Sequence, residues 1–275
     1  MLQMPAGYDE FKISLGKGTF RIIKVIKDWD SPQFREFLIN IEKYLQRNQS
    51  FHDFRNVLIR IGQDETLGIK KDIVAKKFKL VRKYDHFRFR FLPSKALRSL
   101  MMAQTLNQNG LKTPSPLAVI EDRGADNQLA TCYFLTEYLD YDCSFAQAID
   151  HSDIRLKEKI ITEAARNIRL MHNAGIIHND LHASNILIKN VKAQPEFYYI
   201  DLNRARQKRE LSIEKRAKDL GRLALNQSDL NLFLNYYLPE SSETFLKFVE
   251  KMRRRRERWI GFKKWFRQFK TKLRR

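Results

Sequence analysis

His178-Asn179-Asp180-Leu181-His182-Ala183-Ser184-Asn185-Ile186-Leu187-Ile188 decides the fold. A helical pattern precedes it: Leu156 to Asn173 places Ile160, Ile161, Ala164, Ile168 and Met171 on one side, and Gly175 closes it. The apolar run Ile186-Leu187-Ile188 reads as a strand, and a second short strand, Phe197 to Ile200, ends in Asp201. Two side-chain carboxylates and an amide, Asp180, Asp201 and Asn185, therefore lie on loops that flank a short hairpin. Phosphoryl transfer needs such a set. One carboxylate orients and deprotonates an acceptor hydroxyl, and oxygen ligands hold Mg²⁺ across the nucleotide phosphates. His-x-Asp, four residues, Asn, then a strand ending in Asp is the order of the kinase catalytic loop.

The same chemistry needs a lysine on an earlier strand. Ile73-Val74-Ala75-Lys76-Lys77-Phe78 supplies two. Strand alternation sends Lys76 and Lys77 to opposite faces, so only one can meet the phosphates. Around this strand the pattern is β-rich. Phe11–Leu15 and Phe20–Ile26 read as strands, Pro32–Leu45 as a helix, 54–61 and 69–81 as a strand pair, and Ala130–Leu139 as another strand. Ser94–Gln108 reads as a helix that stops before Asn109-Gly110. From 213 to 273 the pattern is predominantly helical. Strands first and helices afterwards predict an α+β, two-lobed, protein-kinase-like fold with a small β-rich N-lobe and a helical C-lobe. The expected domains are an N-terminal extension over 1–50, an N-lobe over 51–139, a C-lobe over 140–250 and a basic tail over 251–275.

At these residues the sequence resembles the bacterial lipopolysaccharide core kinases, which phosphorylate Kdo or heptose on a protein-kinase-like fold. The loop His178–Leu187 is similar to that family's catalytic loop, and Tyr199-Ile200-Asp201-Leu202-Asn203-Arg204 to its metal-binding segment. Ala75-Lys76-Lys77-Phe78-Lys79 resembles its strand-lysine motif, a match that favours Lys76. Ser94–Ser99, Gly110–Pro116 and Lys218–Leu223 are similar as well. The resemblance implies Asp180 as catalytic base and Asn185 and Asp201 as Mg²⁺ ligands. It also implies Lys76 on the ATP α/β-phosphates and Glu137-Tyr138-Leu139 as the hinge whose backbone meets adenine. Asp219 would brace the catalytic loop, and His182 and Ser184 would line it.

Two departures stand out. Ser94–Gln108 contains no acid to pair with the strand lysine; Met101 occupies about the expected place. Gln104 or Asp201 is left to hold the lysine, and a weak or silent nucleotide-binding kinase fold becomes the competing class. Second, the glycine-rich Leu15-Gly16-Lys17-Gly18-Thr19-Phe20 lies too early. Gly18 precedes Lys76 by 58 residues, whereas one strand-turn-strand unit takes about 12 to 18. It reads as a turn in the N-terminal extension. The better-placed phosphate loop is His52-Asp53-Phe54-Arg55-Asn56, with Arg55 and its amides toward phosphate.

Charge supplies the rest. The 275 residues carry 52 Lys and Arg against 32 Asp and Glu, a net +20. Residues 251–275 hold 13 of those bases and one acid, Glu257, so +12 sits in this short stretch. Drawn as a helix, Trp259, Phe262, Trp265, Phe266, Phe269 and Leu273 share an arc of about 120°, with Ile260 an outlier. Aromatics on one side and cations elsewhere predict a helix lying on an anionic membrane surface. A terminal helix docked on the domain is the plainer alternative, and a nucleic-acid partner is not expected. Two cysteines, no signal-like N-terminus and no long apolar run predict a cytosolic protein or one peripheral on a cytosol-facing membrane; the resemblance implies that this membrane is the bacterial inner membrane, met at its inner face. The expected activity is ATP- and Mg²⁺-dependent phosphorylation of a lipid-linked saccharide of the lipopolysaccharide inner core. A kinase of a soluble small molecule or protein is the generic alternative.

Overall fold

The central sheet of the first unit is antiparallel throughout, and its inner strands bury side chains on both faces. The computed structural model describes residues 7–45, 50–52, 56–80 and 83–272. One unit takes Met1–Asp140 with Ile200–Arg204; the other takes Tyr141–Tyr199 with Ala205–Arg275. In the first, the elements run β1 (Tyr8–Gly16), β2 (Thr19–Ile26), α1 (Pro32–Ile39), α2 (Ile41–Leu45), β3 (Ser50–His52), β4 (Asn56–Ile61), β5 (Ile73–Phe78), α3 (Lys83–Phe91), α4 (Lys95–Gln108), β6 (Pro116–Arg123) and β7 (Leu129–Glu137). The sheet order is β1-β2-β6-β7-β5-β4-β3.

Alternation along each strand divides the core in two. Ile23, Ala75, Ile120 and Leu135 pack with Phe34, Phe37 and Leu38 of α1. Phe78, Val119 and Cys132 face the other way, against Phe89 of α3 and Ala96 and Leu100 of α4. The described part of residues 1–50 thus supplies two strands and the helical cover of one face. The expected helix over 32–45 is broken at Asn40 (φ −104°, ψ 20°). Buried Arg21 explains the break: its guanidinium donates to the carbonyls of Leu38 and Ile39 at the end of α1. The same group pairs with Asp122 at 2.6 Å and Glu42 at 2.8 Å.

Gly16, Lys17 and Gly18 all have positive φ (84°, 49° and 71°) and form the β1–β2 turn. This turn closes the hairpin at the sheet edge remote from β4 and β5, so the glycine segment is a hairpin turn, as its spacing predicts. The β3–β4 hairpin lies beside Lys76, with Leu58 opposite it. Its connecting residues, Arg55 included, fall outside the described residues.

The second unit contains β8 (Cys143–Ser144), α5 (Phe145–Ile149), α6 (Ile154–Asn173), β9 (Ile176–Ile177), β10 (Ile186–Lys189), β11 (Glu196–Tyr199), β12 (Arg206–Gln207), α7 (Ile213–Leu220), α8 (Gln227–Tyr237) and α9 (Ser242–Lys272). Asp153 caps α6, accepting from Leu156 N at 3.1 Å. Gly175 ends it at φ 72°, where a Cβ would sit 1.9 Å from the Lys208 carbonyl oxygen, so no other residue fits. β10 pairs with β8 and β11, and β9 with β12. The helix carrying the basic block begins at Ser242, nine residues before 251, and packs on α7 and α8 through buried Phe245 and Val249. Among the described residues no helix is long and apolar enough to cross a membrane.

Candidate active site

In the first unit, Lys76 projects from β5 and its Nζ lies 2.6 Å from Asp201 Oδ1. Lys77, on the opposite face, places its Nζ 5.2 Å from the Tyr133 ring centroid. The alternation therefore resolves as the resemblance favoured, with Lys76 facing the aspartate. Asp201 adopts φ 60°, a left-handed conformation that costs a non-glycine residue about 1–2 kcal/mol. Asn203 Nδ2 donates to its Oδ1 at 2.6 Å, and the 202–204 turn packs on α4. Strain at a carboxylate fixed from two sides is a mark of a functional position. With no acid on α4, Asp201 is the lysine's carboxylate. Gln104 lines a cavity with Tyr8, Trp29 and Glu137.

The expected hinge follows β7. Glu137 N donates to Ser115 O at 2.9 Å and Tyr138 N to Asp72 O at 2.8 Å, which fixes the chain's exit from the sheet. Lys71 Nζ lies 3.7 Å from the Glu137 carboxylate, so that side chain has its own partner. Leu139 is half-buried in the segment that follows.

In the second unit the 178–185 loop is held from below. Asp219 of α7, fully buried, accepts from His178 N at 2.8 Å and from Asn179 N at 2.9 Å. His172 Nε2 lies 3.4 Å from the same carboxylate, and its Nδ1 lies 2.6 Å from Tyr237 OH. Asn179 is left-handed (φ 61°), which turns the chain so that Asp180 follows a backbone anchored twice. Leu181 is buried below the loop. Asn185 Nδ2 donates to the Asp180 carbonyl at 2.9 Å, and His182 N donates to that same carbonyl at 2.7 Å. Asn185 thus spends its amide NH₂ within the loop, and its oxygen is the atom suited to a cation.

Sequence reasoning assigned no role to two cations at Asp180. Arg222 Nη1 lies 3.3 Å from Asp180 Oδ1, and Arg256 Nη2 lies 3.2 Å from His182 Nε2. His182 Nε2 is 3.6 Å from Asp180 Oδ1. Burial, with Arg256 and Arg222 nearby, lowers the His182 pKa against the opposing pull of Asp180. Arg256 belongs to the tail by composition. Only its spacing from Phe245, Val249 and Arg253 puts it on the docked side of α9.

Among the described residues no three His, Cys, Asp or Glu side chains form a metal-holding group. The donor set on offer is one carboxylate, Asp201, and one amide oxygen, Asn185. Each, within its own unit, is an oxygen donor of the kind a hard cation such as Mg²⁺ takes.

Sheet-plus-helix architecture, a strand lysine held by a left-handed aspartate and an anchored His-x-Asp loop define a kinase-like protein. A model of the lipopolysaccharide kinase (Kdo/WaaP) family matches residues 72–237, more than half of the chain, and the chain belongs to that family. It is similar to the 3-deoxy-D-manno-octulosonic acid kinase of Haemophilus influenzae strain PittGG, 27% identical over 127 residues, 44% of this chain and 51% of the relative. The enzyme of the same name from Actinobacillus succinogenes is 28% identical over 130 residues, 45% of this chain and 51% of that one. The chain thus spans about half the length of these curated relatives. Among solved structures, WaaP in complex with acyl carrier protein matches with a TM-score of 0.58 at 21% identity, covering 83% of this chain and 97% of that one. That likeness shows the fold.

Proposed function

We propose that this chain transfers the γ-phosphoryl group of ATP to a hydroxyl of Kdo or heptose in the lipopolysaccharide inner core. The anchored Asp180–Asn185 loop, in a chain of this family, carries the reading. Asp180 takes the proton of the acceptor hydroxyl, whose oxygen attacks the γ-phosphorus while the bond to the β-phosphate oxygen breaks and ADP leaves. Lys76 neutralises the α/β-phosphates, Arg55, outside the described residues, is the further phosphate contact the sequence offers, and the backbone of Glu137 and Leu139 receives adenine. Asn185 and Asp201 would hold Mg²⁺, which supplies charge neutralisation at the phosphates. The test is transfer of radiolabelled phosphate from ATP to purified core glycolipid. Transfer is expected from the wild type and not from Asp180→Ala; equal transfer by both would refute the role of Asp180. The acid-free α4 favours a second reading, a silent nucleotide-binding fold. Binding of Mg-ATP, seen as a raised melting temperature, without any turnover would establish it.

The working surface we propose is the cytosolic face of the inner membrane. On α9, Trp259, Phe262, Trp265 and Phe266 are all exposed, and Phe262 lies 6.0 Å from both Trp259 and Trp265, ring centroid to ring centroid. An exposed aromatic stripe on a helix with a +12 block favours insertion at an anionic interface over docking on the protein's own surface. The full chain should sediment with anionic vesicles and not with neutral ones, and Phe262→Asp with Trp265→Asp should abolish it. Binding that survives both charges would refute this surface. WaaP is seen in complex with acyl carrier protein, so displacement of the chain from vesicles by added acyl carrier protein would assign the helix to a protein partner instead.

A further inference from the structure

We propose that Arg222 and Arg256 form a receptor for an anionic group on the acceptor sugar, a carboxylate or a phosphate ester, set beside the hydroxyl that Asp180 deprotonates. The inference rests on the kinase reading and adds the feature of the acceptor that is recognised.

The charge balance at Asp180 motivates it. Arg222 Nη1 lies 3.3 Å and His182 Nε2 3.6 Å from Asp180 Oδ1, and Arg256 Nη2 lies 3.2 Å from that same ring nitrogen. Arg222 is matched by Asp180 at 3.3 Å. Arg256 meets only the ring nitrogen of His182, at 3.2 Å, and no carboxylate among the described residues. Two buried arginines of the sheet are paired differently: Arg21 has both Asp122 and Glu42, and Arg123 has Glu121. A guanidinium left without a carboxylate beside a catalytic acid is complementary to a planar or tetrahedral oxyanion, which it can bind with two parallel N–H donors.

Arg256 is also held in place. Three residues earlier, Arg253 wedges between α7 and α9. Its Nη1 donates to Leu225 O at 2.9 Å, while its Nε and Nη2 are buried without partners. Gly221, next to Arg222, lies directly against it: a Cβ there would be in contact with Arg253 Cγ at 3.5 Å. The close approach of α9 to Gly221 thus brings Arg256 of one helix and Arg222, just after the other, to the same loop. An acceptor whose anion sits on this pair is oriented before its hydroxyl reaches Asp180, which is how remote binding positions a reacting group.

The test uses the full chain and needs no turnover. 3-Deoxy-octulosonic acid, its neutral carboxamide and inorganic phosphate are titrated separately at millimolar concentration by NMR. The acid should bind the wild type, and its affinity should fall about tenfold to hundredfold in Arg256→Gln, the loss of a charge-assisted hydrogen bond. Arg256→Lys should recover part of it, and Lys247→Gln, an exposed charge on the same helix, should match the wild type. Preference for the acid over the carboxamide assigns a carboxylate. Binding of phosphate alone, lost in Arg256→Gln, assigns a phosphate ester. The proposal fails if the wild type binds neither anion, or if Arg256→Gln and Arg222→Gln bind them as the wild type does. In turnover, Arg256→Gln should raise KM for core glycolipid and leave KM for ATP unchanged. Anion binding through Arg256 without phosphate transfer would refute the kinase reading alone. Transfer with acceptor KM unmoved by Arg256→Gln would refute the receptor alone.

Discussion

Removing the Asp219 carboxylate should unfasten the catalytic loop. The side chain is fully buried and accepts from two backbone amides, His178 N at 2.8 Å and Asn179 N at 2.9 Å. A hydrogen bond to a charged group contributes about 1.5–3 kcal/mol, and a buried donor left unpaired costs about 1–3 kcal/mol. Two such bonds set the scale at roughly 3–6 kcal/mol, offset in part because a buried carboxylate is no longer desolvated. Asp219→Ala is therefore expected to lose about 3–5 kcal/mol, and at about 2–4 °C per kcal/mol for a chain of this size its melting temperature should drop by roughly 10 °C. Asp219→Asn keeps one acceptor oxygen but turns an NH₂ toward a donor, so it should fall between the two. Melting followed by circular dichroism measures the loss. Amide exchange at His178 and Asn179 localises it, because those two protons should lose protection well beyond the general change. Asp219→Ala within 1 kcal/mol of wild type, with both amides still protected, would refute the bracing role.

Lys76→Met should abolish phosphate transfer and weaken ATP binding, whereas Lys77→Met, altering the side chain over Tyr133, should retain turnover within about threefold; ATP titration and initial rates separate the two. Glu42 offers a pH test: burial would raise its pKa, but hydrogen bonds from Tyr133 and Arg21 outweigh that and hold it below the ordinary 4.5. A depressed carboxylate stabilises the fold above its unfolded pKa and loses that contribution as pH falls through the folded value. The melting temperature of Glu42→Gln should thus lie below wild type at pH 7, with the gap narrowing as the pH is taken below the ordinary 4.5; an equal gap at pH 7 and in strong acid would refute the coupling.

The catalytic loop was legible because its chemistry is local. Asp180 and Asn185 lie five residues apart, and their loop is bounded by a periodic helix and an apolar strand. The strand lysine was legible as a pair, and alternation then needed only Asp201, 125 residues on, to select Lys76. β6 is not among the expected strands: Leu117-Ala118-Val119-Ile120 runs into Glu121-Asp122-Arg123, three charges that local pattern does not place in a buried strand. All three charges are buried, and partners remote in sequence, Arg21 for Asp122 and the Phe89 carbonyl for Arg123, make that possible. α3 went unassigned because Phe87-Arg88-Phe89-Arg90-Phe91 has the period of a strand. It folds as helix with Phe89 packed on Ala96 and Leu100, a case of tertiary packing overriding pattern. Arg256 could not be placed from sequence, since 74 residues separate it from His182.

The stray Ile260 is what ties the tail to the site. Measured from Phe245 at 100° per residue, Val249, Arg253, Arg256 and Ile260 fall within about 80° of it, a stripe directed at the body of the unit. Trp259, Phe262, Phe266 and Trp265 form a second stripe centred roughly 140° away. Ile260 is thus no flaw in the aromatic face but the end of the docking face. It is also less exposed than its aromatic neighbours, 37% against 56% for Trp259. A single rigid helix carries both stripes, so the surface that would meet lipid and the guanidinium proposed to meet the acceptor share one backbone. Inserting one residue between Arg258 and Trp259 would leave Arg253 and Arg256 docked and rotate the aromatic stripe by about 100°. Vesicle binding should persist, because the stripe and its charges are intact. Transfer to glycolipid in vesicles should fall while transfer to detergent-dispersed glycolipid should not, and unchanged transfer in both would show that the two faces work independently.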